Sequence, residues 1–174
     1  NPKKDSAYTE LGWFYRKQGK FSQAEDAFRQ AVDLNPKNDQ AYIELGWTYR
    51  QQEKFTQAED ALKKAIELNP KNDNAYIELG WIYRTQSKFP QAEAAFKQAL
   101  ELNPKNGSAY AGLGGLYREL GKFHQAEDAL KKALELNPKY TYAHVELRQV
   151  YLKQGKLSQA EDLLKRIIEL NPEN

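Results

Sequence analysis

Six Asn-Pro dipeptides, beginning at Asn1, Asn35, Asn69, Asn103, Asn137 and Asn171, follow one another at steps of 34 residues without a single insertion. A strict period of this length means that one supersecondary unit is copied and that the copies stack, because a lone unit of that size cannot bury its own apolar face. The units are 5–38, 39–72, 73–106, 107–140 and 141–174, and residues 1–4 read as the tail of a preceding unit. Length alone would suggest one or two ordinary compact domains. The register overrides that expectation in favour of a single array over 1–174.

Unit 39–72 shows what each copy encodes. Ala41, Tyr42, Leu45 and Tyr49 recur at helical spacing, which predicts a first helix from about Asp39 to Gln52. A break follows at Glu53-Lys54, where other units carry Gly19, Gly121 and Gly155, as expected just past a helix end. A second helix is predicted from near Thr56. Thr56 with Glu59 reads as a capping box, repeated by Ser22 with Glu25 and Ser158 with Glu161, and Pro90 suits the first helical turn. Phe55, Ala58, Ala61, Leu62, Ala65, Ile66 and Leu68 form its apolar stripe, and Pro70 ends it by forcing Asn69 out of the helical region. Small residues (Gly46, Ala58, Ala65) stand where helices must approach, opposite Tyr42, Leu45, Tyr49 and Phe55. The fold class is all-α.

The pattern Tyr-x2-Leu-Gly-x2-Tyr at 42–49, followed by the recurrent Ala, large residue, Ala and Pro, resembles the tetratricopeptide repeat over all five units, with Tyr where that family often has Trp. The resemblance implies an α-solenoid, a right-handed superhelix of antiparallel helix pairs. It also implies a concave groove lined by the first helices, which commonly holds a partner protein. Members that grip a C-terminal carboxylate carry Lys and Asn at the positions of Thr9 and Trp13; neither residue matches here, and Glu44 and Glu78 would repel a carboxylate. The even units read as consensus-built or recently duplicated, and a sequence without any Met reads as an excised segment.

Residues that the frame does not need carry what function can be read. At 100° per residue, Trp13, Trp47 and Trp81 fall opposite the first helices' own core stripe, with Ile43 and Ile77 beside two of them. Arg16, Arg50, Arg84 and Arg118 make one edge; Glu10, Glu44, Glu78 and Glu146 make the other. With helices about 8–10 Å apart, successive indoles rise by a distance close to the ~9.3 Å turn of a polyproline II strand. This predicts a peptide-binding groove formed by Trp13, Arg16, Ile43, Glu44, Trp47, Arg50, Ile77, Glu78, Trp81, Arg84 and Arg118, taking an extended or helical segment of a protein partner. The indoles would supply contact, and the Arg edge would hold carboxylate or phosphate groups. The same residues can instead pack between repeats, Arg against Glu or over the rings, and only stiffen the array. Both readings stand on the sequence.

The last two units depart from the pattern. Ala111, Gly112 and Gly115 replace Ile, Glu and Trp, which reads either as a pocket or as drift. His144, Arg148 and Gln149 replace Tyr, Gly and Trp, and Arg148 is expected to splay its helix pair or send its head to water. Leu163 and Ile167 replace Ala and are expected to expose apolar surface, so the alternative function is a structural or engineered scaffold that forms a homo-oligomer through its C-terminal repeat. Glu59→Lys63 and Asp60→Lys64 pairs mark a solvated outer face, and Asn106-Gly107-Ser108 reads as a turn.

Composition trims the remaining classes. With 26 Lys+Arg against 24 Asp+Glu, the net charge of +2 gives no electrostatic case for an anionic membrane, and ranks single-stranded nucleic acid, with indoles stacking bases, below a protein partner. Zero Cys and two dispersed His leave no metal, cofactor or nucleophile constellation, so no enzyme is expected. No secretory leader or long apolar run is present, which makes a cytoplasmic location the default expectation.

Overall fold

Two apolar stripes per unit, separated by a residue that tolerates left-handed backbone, produce two helices per unit. The computed structural model describes residues 2–170, with side chains for 4–169, and among these are ten α-helices. They are α1 (Pro2–Lys17), α2 (Phe21–Leu34), α3 (Asp39–Gln51), α4 (Phe55–Leu68), α5 (Asp73–Thr85), α6 (Phe89–Leu102), α7 (Gly107–Glu119), α8 (Phe123–Leu136), α9 (Thr141–Lys153) and α10 (Leu157–Leu170). No strand occurs among the described residues.

The punctuation follows backbone chemistry. Gly19, Gly121 and Gly155 take φ of +71° to +72° between the paired helices, and the equivalent Glu53 and Ser87 are held at +58° without glycine's freedom. Each second helix ends before its Asn-Pro, with Asn35, Asn69, Asn103 and Asn137 at φ between −139° and −142°, as pre-proline sterics require. Pro90 sits in the first turn of α6, where its missing N–H costs nothing.

The expected capping boxes do not form. Lys20 and Lys54 occupy the N-cap positions without a side-chain cap, so Ser22 and Thr56 lie one turn position inside α2 and α4, as Ser158 does in α10. The tight turn starts the helix a residue early, because the Phe21 N–H already bonds Gly19 O and the Phe55 N–H bonds Glu53 O. Side-chain capping goes instead to the first helices. Asn38 Oδ1 accepts from the Ala41 N–H at 3.0 Å, Asn72 Oδ1 from the Asn74 N–H at 3.2 Å, and Asn106 Oδ1 from Ser108 and Ala109.

The chain divides into two compact units, Asn1–Gln86 and Ser87–Asn174. In the first, α1 packs on α2 and α3 on α4, while α3 also meets α2 and α5. In the second, α7 packs on α6 and α8, and α9 lies against α7, α8 and α10. The inner first helices are therefore covered from two sides, and α3 buries Ala41, Ile43, Glu44, Leu45, Gly46, Thr48 and Tyr49. Second helices bury one stripe, as α4 does with Ala58, Ala61, Leu62 and Ala65. Glycine permits the close contact: a Cβ at Gly46 would stand 2.6 Å from Leu62, and one at Gly12 or Gly114 would stand 2.5 Å or 2.4 Å from Phe28 or Leu130.

Candidate functional site

Trp13, Trp47 and Trp81 recur on α1, α3 and α5, all in the first unit, and all three are half-buried. None of the rings is sealed. Trp47 and Phe21 meet edge to face at 5.9 Å between centroids, and the Arg16 guanidinium lies 4.8 Å from the Trp47 ring centre. The Arg84 guanidinium stands 5.3 Å from the Trp81 ring. Such stacked cations contribute about 0.5–1 kcal/mol each at partly exposed sites. The Trp13 Nε1–H is shielded and has no hydrogen-bond partner.

The neighbouring isoleucines are different. Ile43 and Ile77 are only 4% exposed. The sequence reading set them beside the indoles on the open face, but that face is narrower than a helical wheel suggests, since packing of neighbouring helices closes over both side chains. As fully packed side chains they cannot touch a ligand on this face.

Arg and Glu do not form two separate edges. Arg16, Arg50 and Arg118 each reach the Glu of the following repeat, 28 positions on. Arg16 Nη1 meets Glu44 Oε2 at 2.6 Å, Arg50 Nε meets Glu78 Oε2 at 3.0 Å, and in the second unit Arg118 pairs with Glu146. Gln40 Nε2 donates to the other Glu44 oxygen at 2.9 Å. These carboxylates are largely buried, so the pairs act as rungs between repeats whose removal would strand a charge. Burial pushes the Glu78 carboxyl above its ordinary range, with Arg50 opposing the rise and Glu44 adding to it. The place of the next Glu is taken by Gly112.

The small-residue stretch on α7 is no open pocket. Ala111, Gly112 and Gly115 are buried, and a Cβ on Gly112 would come within 2.4 Å of the Phe96 ring. The Phe96 ring, and not open space, stands where that Cβ would be. At the C-terminal repeat, Leu163 is buried and Ile167 half-buried, contrary to expectation, because their helix face turns toward α9; the exposed large apolar side chains are Val145 and Leu152 on α9 and Leu157, Leu164 and Ile168 on α10.

Sequence reading missed the rest of the polar stitching. Glu25 accepts from Lys54 at 2.7 Å and Gln52 at 3.0 Å, and Glu127 from Lys156 and Lys131 at 2.6 Å each. The Tyr83 hydroxyl donates to Glu59 at 3.0 Å and Tyr117 to Glu93 at 2.9 Å. Asn35 and Asn69 donate to Asp5 and Asp39 within their own repeats at 2.8 Å. The signal was present as fixed offsets of 24, 28, 29 and 30 between recurring opposite partners. Each partner seen inside its own repeat looks like an ordinary solvated charge. Among the described residues no group of three or more His, Asp or Glu could hold a metal, and no helix is long and apolar enough to cross a membrane.

The chain matches, over residues 2–173, the profile of the family described as the Cilia and flagella-associated protein 70 C-terminal domain. No curated protein matches the sequence. A thermophilic TPR protein of Thermus thermophilus is similar at 24% identity and a TM-score of 0.87, over 98% of this chain and 93% of that one. MamA is similar at 25% identity and a TM-score of 0.73, over 99% and 94% of the two chains. A chain of the APC/C hetero-tetramer Cut9–Hcn1 is 24% identical with a TM-score of 0.88; the match spans 100% of this chain and 35% of that one. These likenesses show the fold. With its helix-pair repeats, glycine contacts and 34-residue register, the chain is an all-α tetratricopeptide-repeat protein and belongs to the family described as the Cilia and flagella-associated protein 70 C-terminal domain.

Proposed function

We propose that the chain is a protein-interaction scaffold that holds an extended segment of a partner against the face of α1, α3 and α5. The tetratricopeptide fold supports a protein–protein interaction scaffold in general. One observation carries the finer reading: three indoles at one position of consecutive repeats stay half-exposed while the isoleucines beside them are buried. An apolar or Pro side chain at every third residue of the partner would meet one ring per turn. The Arg side chains would act mainly by fixing the spacing of the rings, since Arg16 and Arg50 already hold Glu44 and Glu78. The same pairing lowers the attraction of this face for nucleic-acid phosphates. In a titration against an extended, Pro-containing peptide library, Trp47→Ala should weaken binding by about tenfold or more, one buried aromatic contact being of that size. Unchanged affinity would overturn the groove reading.

A second reading, association of copies through the C-terminal repeat, rests on a separate observation. Leu164 is 42% exposed where Phe28, Leu62, Phe96 and Leu130 are fully buried. Phe14 is 59% exposed where Thr48, Ile82, Leu116 and Val150 are fully buried. Both positions lack, in the first and last repeats, the burial that their inner equivalents have, so one copy's α10 would meet another's α1. Light scattering should then show mass rising with concentration, and Leu164→Lys should abolish the rise; a constant mass for the parent protein removes this reading.

A further inference from the structure

The first repeat leaves open a groove that the fifth repeat shares with the helix before it. Tyr8, Leu11 and Tyr15 of α1 line this groove with Ala27 and Gln30 of α2. Their equivalents in the fifth repeat are His144, Leu147, Tyr151, Leu163 and Arg166, and these share one cavity wall with Lys131 and Leu134 of α8. The difference shows in burial: Leu147 is 2% exposed beside α8, and Leu11 is 38% exposed. The occupant that fits the open groove is therefore a second helix of the kind that α8 supplies.

The polar contacts between repeats say whose helix it is. Glu25, Glu59, Glu93 and Glu127 hold one position of the second helices, and each is met from the following repeat. Lys54 and Lys156 reach Glu25 and Glu127 from 29 positions on, at 2.7 and 2.6 Å. The Tyr83 and Tyr117 hydroxyls donate to Glu59 and Glu93 from 24 positions on. The side chains of these four acids are 10–24% exposed.

Glu161 is the fifth of the series. It pairs with Lys165 of its own helix, as Glu127 does with Lys131, but its side chain is 67% exposed. The same two offsets, carried past five 34-residue repeats into a second copy, fall on Lys20 and Tyr15. Lys20 is exposed and makes no ion pair among the described residues, and Tyr15 lines the open groove. The two ends are thus complementary in charge and in shape.

We propose that α10 of one copy seats in the α1–α2 groove of the next in the register that successive repeats keep. Glu161 is then held by Lys20 and Tyr15 of the second copy, and Leu164 and Phe14 are closed between the two. This rests on the association reading above and adds its register and its direction. The two joined faces differ, so a pair linked at one seam still offers one face of each kind and addition continues past two. One rung is missing. Leu152 stands where Arg16, Arg50 and Arg118 reach the Glu 28 positions on, and the same count leads to Glu10 of the second copy.

Sedimentation of the whole chain over a range of concentrations should show species beyond the dimer. Glu161→Lys and Lys20→Glu each set like charges at every seam, and each should weaken association by about tenfold or more. Mixed in equal amounts they should restore it to within about threefold of the parent, because each offers the other an opposite charge at both ends. Leu152→Arg completes the missing rung and should tighten association by about threefold. All these positions are exposed, so each variant should keep the cooperative melting of the parent. A parent of constant mass overturns this proposal together with the reading on which it rests. Association that Leu164→Lys abolishes, but that folded Glu161→Lys and Lys20→Glu leave unchanged or their mixture fails to restore, overturns the register alone. A mass that stops at the dimer overturns the direction of growth.

Discussion

At the scale of single residues, backbone geometry and contact distance decide more than side-chain character. Gly46 admits no Cβ: Leu62 is fully buried, with side-chain atoms 2.6 and 2.9 Å from where that atom would stand. Gly46→Ala should therefore destabilise the protein by about 1–3 kcal/mol in a urea unfolding curve, the usual cost of overpacking. Glu53 gives the opposite sign. Held at φ +58° where Gly19 and Gly121 sit at ease, it is strained without gaining a contact that needs its side chain. Glu53→Gly should stabilise by about 0.5–1 kcal/mol, read as a higher urea midpoint at unchanged slope. Both positions were legible in the sequence, since Gly46 recurs at an equivalent place and Glu53 replaces a recurrent Gly. The Asn38, Asn72 and Asn106 caps were not, because Ser22 and Thr56 offered an equally good local signal one element later. The tight turn before α2 and α4 decides between them.

At the scale of helices, the polar contacts between successive repeats are the informative feature. Glu127 on α8 is bridged by Lys131 in its own helix and by Lys156 at the α9–α10 turn. Burial alone would raise its pKa, but the hydrogen bonds and charges of these two lysines outweigh burial and bring it to about 2. A carboxylate lowered in the folded state contributes stability that is fully present above its ordinary value of 4.5 and is lost as pH falls toward about 2. The parent protein should thus lose more stability than Glu127→Gln between those limits, by on the order of 1–3 kcal/mol. Thermal melting at pH 5 and pH 2.5 checks this, and equal losses in the two proteins would show that Glu127 contributes nothing to the acid limb. Sequence reading assigned the equivalent pair, Glu59 and Lys63, to a solvated face. The outer face is indeed charged, but the partner from the next repeat lies 29 positions away and becomes visible only when repeats are stacked.

At the scale of the molecule, a linear array is held together by neighbour contacts, so stability varies along it. Helix α8 is covered by α7 and α9 and buries Ala126, Glu127, Ala129, Leu130 and Ala133. Helix α10 keeps Ala160 and Leu163 inside while Leu157, Leu164 and Ile168 stay exposed. Amide exchange should accordingly be faster by about tenfold or more in α10 than in α8, a difference of one lost apolar contact set. Equal protection at low concentration would mean that α10 is as firmly held as an inner helix; equal protection only at high concentration would point to association.

The 34-residue period, the two apolar stripes and the Asn-Pro stops were enough by themselves to give an all-α array of helix pairs, because helix formation and termination depend on neighbours within a few residues. The recurrent glycines and alanines likewise named the close contacts. What could not be read along the chain was which side of each first helix remains open. That depends on residues of other helices: Ile43 and Ile77 are buried, Glu44 receives Arg16, and Phe96 stands where a Cβ on Gly112 would be. Burial and ion pairing are properties of stacked surfaces, and only the tertiary arrangement brings those surfaces together.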